Sequence, residues 1–302
     1  MTSAGTGLNG GGVVVVGSAN VDLVLPVERI PKPGETVLAT GLSRGPGGKG
    51  ANQAVAAARA GASTAFVVSL GDDEPGAMLR AVLSDASVDL SLASTTTTPT
   101  GTAIITVDAD GENAITVAPS ANAELVLTDE SRAAIRSAAV VLAQLEIPFD
   151  TVLAAARESR YFVLNAAPAA ELDDELLAEV DLLVVNQIEA FTVAGTGTDA
   201  GEVLLKRVPA VVITLGAGGA LVLTRDGEPL RVHGLQVEVV DTTAAGDTFC
   251  GVLAATLATG SDLPEAVRRA TVAASLSVQT AGAIPSVPTA DDIATRYAEV
   301  YP

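Results

Sequence analysis

The run Asp241-Thr-Thr-Ala-Ala-Gly-Asp-Thr-Phe249 places small residues and a carboxylate just ahead of an Ala- and Leu-rich helical stretch, Phe249–Thr259. Small residues at 244–246 let a ligand approach the backbone, and the first-turn N–H groups of a helix have no intrahelical acceptor. Together with the helix dipole they form an anion site that suits a phosphate. Asp247 is a poor neighbour for a phosphate unless it accepts a proton from an attacking hydroxyl, while the N–H groups stabilise charge on the transferred group. A capping Asp on an ordinary helix reads the same way in sequence.

Gly45-Pro-Gly-Gly-Lys-Gly-Ala-Asn-Gln53 leads into a second helix. It matches G-x-G-x-x-G in letters only, because no apolar strand directly precedes it, and it is no Walker loop, because Gly50 follows Lys49. Backbone N–H, ammonium and amide groups at 48–52 suit a polyhydroxylated ligand, although a flexible turn with an amide cap is equally compatible. Asn20 and Asp22 point the same way if the chain there is extended, and a carboxylate beside an amide grips vicinal hydroxyls. A plain turn would also use these residue types. Glu146 follows the apolar run ending at Leu145. Asn186 and Glu189 follow Leu182–Val185, and Gly216 lies in the turn after Val211–Leu215. Asn20, Asp22, Glu146, Asn186 and Gly216 thus all fall at or just after strand ends, and in a parallel sheet those ends share one ligand-binding edge.

Those strands alternate with helices. Short apolar runs at Val13–Val16, Ala65–Ser69, Ala139–Leu145, Tyr161–Leu164, Leu182–Val185, Val211–Leu215 and Ala220–Thr224 read as buried strands. Helical stretches lie at Ala51–Ala60, Gly76–Ser84, Asp129–Ser137, Thr151–Ser159, Asp199–Arg207 and Leu263–Val278, with a last helix from Thr289. The alternation predicts an α/β fold with a doubly wound, mostly parallel sheet and helices on both faces. Residues 22–43, and a hairpin over 101–117 around Asp108–Asn113, break this rhythm. They predict a small separate β-sheet that projects as a lid, with edge strands of the main sheet as the alternative. Residues 1–12 read as a disordered tail, and 13–302 as one α/β domain.

Composition excludes several functions. The chain has 302 residues, 17 basic and 36 acidic, for a net charge of −19. That argues against nucleic acid and against an anionic membrane surface as partners. One Cys and one His (Cys250 and His233) leave neither a disulfide framework nor a protein-built zinc site. A Ser-His-Asp triad would need His233, which has no nucleophile motif nearby. No apolar run approaches the roughly 18 residues of a membrane span, and no targeting segment is evident. These features predict a cytoplasmic protein.

Taken in order, Gly17-Ser-Ala-Asn-Val-Asp22, Pro33-Gly-Glu-Thr36, Gly47-Gly-Lys-Gly-Ala-Asn-Gln-Ala54, Gln144-Leu-Glu146, Asn186 with Glu189, and Asp241–Phe249 resemble the ribokinase family of carbohydrate kinases over about residues 13–290. The resemblance implies ATP-dependent phosphorylation of D-ribose at O5. It implies that Asp247 is the base and that the N–H groups of Ala244, Ala245 and Gly246 form the anion hole. It assigns Asn20, Asp22, Gly48, Lys49, Asn52 and Glu146 to the sugar, with Asp247. It assigns Asn186, Thr214, Leu215, Gly216, Ala217, Gly218, Gly219, Gly246 and Thr271 to ATP. Glu189 would organise Mg2+ through waters. Asp241, Thr243, Ser277, Thr280, Gly282 and Ser286 match the positions of a monovalent cation site, K+ in character, since an oxygen-only set suits a hard ion. Paired lids would make a homodimer. Gln187 stands where relatives often carry an acid, and Thr271 where some carry a His. Another sugar or nucleoside kinase of the same fold (acting on deoxyribose, fructose or a keto-deoxy sugar acid) and a non-catalytic sugar- or nucleotide-binding module are the competing expectations.

Overall fold

The computed structural model describes residues 12–196 and 199–302. In chain order the elements begin with β1 (Val13–Val16), β2 (Asn20–Pro26), β3 (Ser43–Gly47), α1 (Lys49–Arg59), β4 (Thr64–Val67), β5 (Ser69–Gly71) and α2 (Glu74–Asp85). They continue with β6 (Ser94–Thr96), β7 (Gly101–Val107), β8 (Asn113–Ala118), α3 (Asp129–Ser137), β9 (Val140–Ala143), α4 (Phe149–Glu158), β10 (Phe162–Asn165) and α5 (Asp174–Leu177). β11 (Leu182–Asn186), α6 (Gln187–Ala194), α7 (Ala200–Leu205), β12 (Ala210–Thr214), β13 (Ala220–Thr224) and β14 (Leu230–Val232) follow. The chain closes with α8 (Ala245–Ala258), α9 (Leu263–Ser277), α10 (Ala283–Ser286) and α11 (Ala290–Val300).

The main sheet has the order β14-β13-β12-β11-β10-β9-β1-β4. From β12 to β4 every pairing is parallel, and β13 and β14 run antiparallel at one edge. The four residues of β1 are all valine and fully buried, as a strand covered on both faces requires. Alternation sends Val13 and Val15 into one core with α1, α8 and α9, and Val14 and Val16 into another with α3 and α4. The chain leaves β1 for β4 on one side and later adds β9 on the other. This is a topological switch point, where the strands' carboxyl ends open a crevice for ligands.

β2, β3, β7 and β8 form a separate four-stranded sheet in the order β3-β2-β7-β8, so the edge-strand alternative is wrong. Its boundaries differ from the expected 22–43. Strand pairing starts at Asn20, stops at Pro26 and resumes only at Ser43. Pro31, Pro33 and Gly34 lie in the intervening loop, where prolines withhold ladder donors.

Other boundaries also move. The expected strand Ala65–Ser69 divides, because Ser69–Gly71 leaves the main sheet to pair with β6. The strand expected over Ala139–Leu145 is confined to β9. α1 begins two residues early, at Lys49, and α2 begins at Glu74, where Asp73 caps the Gly76 amide and Pro75 fits the first turn. α8 begins at Ala245, four residues before the expected start. β14 was not anticipated. Of the expected tail, residues 1–11 lie outside the described residues, whereas Gly12 is buried and its carbonyl accepts from the Ala139 amide at 3.0 Å.

Candidate active site

The site lies along the carboxyl ends of β1, β9, β10 and β11, under the separate sheet and facing the N-terminus of α8. Ala244, the residue before α8, takes a left-handed conformation (φ 57°), and so turns the chain sharply into the helix. Thr248 N donates to Ala244 O at 2.8 Å, which starts the helical ladder. The amides of Ala244, Gly246 and Asp247 donate to no acceptor among the described residues, and a methyl group built on Gly246 would meet nothing within 4 Å. The Ala245 amide is different, because it turns to the Thr242 carbonyl at 3.3 Å. The amides without an acceptor are thus those of 244, 246 and 247, whereas the expected anion hole was 244–246.

Asp247, one residue further on, is 7 % exposed. Asn52 Nδ2 donates to its Oδ2 and Gln53 Nε2 to its Oδ1, each at 2.9 Å. A carboxylate buried this deeply needs such donors. Both come from α1, which carries the glycine-rich segment at its start.

Glycines at 47, 48 and 50 allow that segment to pack directly on the β1–β2 connection. A Cβ on Gly48 would stand 2.7 Å from the backbone of Ala19 and Asn20, and φ there is 91°. A Cβ on Gly50 would stand 2.6 Å from the backbone of Ser18. The Glu146 carboxylate ties the pieces together. It accepts from Ser18 Oγ at 2.5 Å and from the Lys49 amide at 3.1 Å.

Asp22, Glu146, Asp247 and Lys49 face one another. Burial, then the negative charges of Glu146 and Asp247, pushes the Asp22 carboxyl up to about 7. Burial works against the Lys49 ammonium, but Asp247, Glu146 and Glu189 outweigh it and hold its pKa above the ordinary lysine value. The result is a polar chamber with three carboxylates, one ammonium and a buried acceptor, Asn52 Oδ1, that has no partner among the described residues. Hydroxyl groups can both donate to and accept from such a set. Asn20 is also here, but its Oδ1 is taken by Asn122 Nδ2 at 2.7 Å.

On the other side of Gly246 lies a cavity of about 350 Å³. Thr214, Gly216, Ala217, Gly219, Gly246 and Thr271 line it. Leu235, Val237, Val239, Phe249, Ala274 and Val278 give it an apolar wall that the motifs had not indicated. Asn186, Leu215 and Gly218 are not among its lining residues. The Asn186 side chain instead accepts from the Glu189 amide at 2.9 Å, and Glu189 Oε2 accepts from the Asn186 amide at 2.7 Å, forming a reciprocal capping box on α6.

The acidic and hydroxyl residues expected around cations are only partly assembled. Asp241 accepts from Thr243 N (2.9 Å), Thr243 Oγ1 (2.6 Å) and Gly282 N (2.8 Å), which joins the 241–243 loop to Gly282. Although burial opposes it, this bonding holds the Asp241 carboxyl below its ordinary value. The hydroxyls of Ser277 and Ser286 turn to the carbonyls of Ala274 and Ala283 in their own helices. Thr280 N donates to Ser277 O at 3.1 Å. No cluster of three or more His, Cys, Asp or Glu side chains that could hold a metal ion occurs among the described residues.

Four further residues meet at the site: Gln53 and Gln144, which lie within the sequence motifs but carry no expected role, and Asn122 and Asn165, which no motif includes. Each is buried and bonds to side chains or backbone about 90 to 195 positions away, and Asn165 also donates to the Val184 carbonyl. Motif membership marks Gln53 and Gln144, whereas Asn122 and Asn165 carry no local signal.

Residues 11–290 match the model of the pfkB family of carbohydrate kinases. The chain is 38 % identical over 292 residues to the ribokinase of Haemophilus influenzae, covering 92 % of this chain and 95 % of that one. It is 41 % identical over 298 residues to a bifunctional ribokinase/ribose-5-phosphate isomerase A of Fructilactobacillus sanfranciscensis, covering 93 % of this chain and 55 % of that longer protein. It superposes on the structure of Arabidopsis thaliana ribokinase complexed with ribose and ATP with a TM-score of 0.88 at 33 % identity, covering 95 % of this chain and 98 % of the other. The chain belongs to the pfkB family of carbohydrate kinases.

Proposed function

We propose that this protein phosphorylates D-ribose at O5 with ATP, giving ribose 5-phosphate and ADP. The observation that carries the reading is the position of Asp247. Its carboxylate stands at the first turn of α8, between a chamber fitted for hydroxyls and the 350 Å³ cavity beyond Gly246. Ribose binds in the chamber against Asn20, Asp22, Gly48, Lys49, Asn52 and Glu146. ATP lies along the cavity with its base against the Val237–Val239 and Ala274–Val278 wall, and its phosphates reach the α8 turn. The relatives named above support both ligands, since one of them was solved with ribose and ATP.

The chemistry needs positioning more than covalent participation. Asp247 accepts the O5 proton as O5 attacks the γ-phosphorus, and the bond to ADP breaks on the opposite side. The free amides of Ala244, Gly246 and Asp247, with the helix dipole, meet the charge on the transferring group. Lys49 keeps three carboxylates in one chamber tolerable before the sugar arrives.

The donor chemistry fits a divalent cation near Glu189. Burial, only partly offset by the Asn186 amide and Lys49, raises that carboxyl, so a cation entering with the nucleotide supplies the missing countercharge. Glu189 would hold Mg2+ there through waters, and the ion would supply countercharge for phosphate oxygens. Asp241, Thr243 and Gly282, with Ser277, Thr280 and Ser286, would hold a monovalent cation such as K+, since oxygen donors suit a hard ion. We also infer a homodimer. Every residue of the edge strand β8 is exposed, including Ile115 and Val117, as is Ile104 on β7, and an open apolar edge favours strand pairing with a second copy. Residues 13–302 act as one catalytic unit. The lone buried thiol of Cys250 suits the reducing cytoplasm.

A panel of sugars and nucleosides with ATP tests the reading. The expected result is kcat/KM for D-ribose at least about tenfold above fructose, deoxyribose and adenosine, a discrimination of one buried hydroxyl contact. Equal or lower turnover of ribose overturns it.

A further inference from the structure

Gln53 is fully buried on α1, whose other buried residues apart from Asn52 are Gly, Ala and Val, and every polar atom of its side chain is bonded to another side chain. Nε2 donates to Asp247 Oδ1 and to Asn165 Oδ1, each at 2.9 Å. Oε1 accepts from Gln144 Nε2 at 2.6 Å. One amide thus joins α1, α8, the end of β9 and the end of β10, and no backbone group shares in its bonding. We infer that Gln53 is a positioning residue for phosphoryl transfer, fixing the plane of the Asp247 carboxylate so that a lone pair stays aimed at the acceptor hydroxyl.

The geometry separates Gln53 from its neighbour. Asn52 holds Oδ2 and keeps a free acceptor for the ligand, so it belongs to the sugar chamber itself. Gln53 is sealed beneath and touches only the opposite oxygen. With Gln53 absent, Asp247 is held at one oxygen and is free to rotate about its terminal bond. Gln144 Nε2 and Asn165 Oδ1 hold the Gln53 amide from the side away from Asp247, while Gln144 Oε1 itself has no hydrogen-bond partner among the described residues.

The inference rests on the ribose kinase reading, and the experiment separates the two. Native protein, Gln53→Met and Gln53→Glu are compared by kcat for ribose per ribose-binding site, the sites being counted by calorimetry. Gln53→Met keeps the volume and removes the amide. Its kcat per site is expected to fall about 10- to 100-fold, the cost of a misoriented reacting group, with ribose Kd changed less than about threefold. Gln53→Glu keeps the shape and answers the question even if the Met variant does not fold. Near pH 8 its carboxylate repels Asp247, and on acidification its O–H donates to Asp247 again. The charged groups facing this spot are Asp247 on α8, Lys49 on α1, Asp22 on β2, Glu146 after β9 and Glu189 on α6. They are common to both proteins, so the readout is the ratio of variant to native kcat, which is expected to rise at least fivefold from pH 8 to pH 6. A kcat per site for Gln53→Met within twofold of native, or a flat ratio for Gln53→Glu, overturns the positioning role while leaving the kinase reading intact. Native protein that does not phosphorylate ribose overturns both.

Discussion

The Asp22 carboxylate lies against the backbone of Gly47 on the neighbouring strand, so close that a methyl group built on Gly47 would stand 2.1 Å from Asp22 Oδ2. Asp22 pairs across with Gly45, which makes Gly47 its diagonal neighbour on the same face of the β2–β3 pair. The absence of a side chain at 47 is what lets Asp22 point down into the chamber.

Gly47→Ala is therefore expected to swing Asp22 aside while the fold survives, because the clash is with a mobile side chain. Loss of one charge-assisted hydrogen bond to the sugar, about 1.5–3 kcal/mol, raises the ribose KM about 10- to 100-fold and leaves the ATP KM within threefold. Steady-state kinetics with each substrate varied checks this. An unchanged ribose KM separates Asp22 from the sugar.

Asp22 also makes stability depend on pH. Its folded pKa, near 7, lies above the ordinary 3.8, so between those values the folded state binds more protons than the unfolded. Stability therefore falls as pH rises through that window. Asp22→Asn removes the effect. The ligand-free variant is expected to melt at least about 2 °C above native protein at pH 8, with a smaller gain at pH 5, while its affinity for ribose drops. Thermal unfolding at both pH values is the measurement, and an equal gain at both would contradict the assignment.

How much of this was readable in the residues varies with the range of the interactions. β1, β13 and α3 keep their expected bounds because runs such as Val13–Val16, and a Thr128 cap before Asp129, are local signals. α8 starts early because Ala244 adopts a left-handed turn that alanine does not advertise. Ser69 reads as a continuation of β4, and only pairing with Ser94, 25 positions on, takes it out of the main sheet. Asp247, Glu146 and Lys49 were legible from motif order. The amide chain through Gln53 and Gln144 was not, because its partners meet only after the sheet has formed.

The exposed β8 edge gives a further expectation. Ile115 and Ile105 sit opposite each other, and Val117 opposite Ala103, so one face of the hairpin presents an apolar row. Ile115→Lys with Val117→Lys places charge in any strand-to-strand interface. Sedimentation is expected to show a dimer for native protein and a monomer for the double variant. A native monomer would remove the paired-lid arrangement.

The most direct measurement is the turnover of Asp247→Asn with ribose and ATP, alongside calorimetric binding of ribose. The substitution keeps size and removes the proton acceptor. A fall in kcat of at least about 100-fold with ribose bound at near-native affinity is the expected result. Turnover equal to that of native protein would contradict Asp247 as the base, and with it the reading of this fold as a sugar kinase acting through that carboxylate.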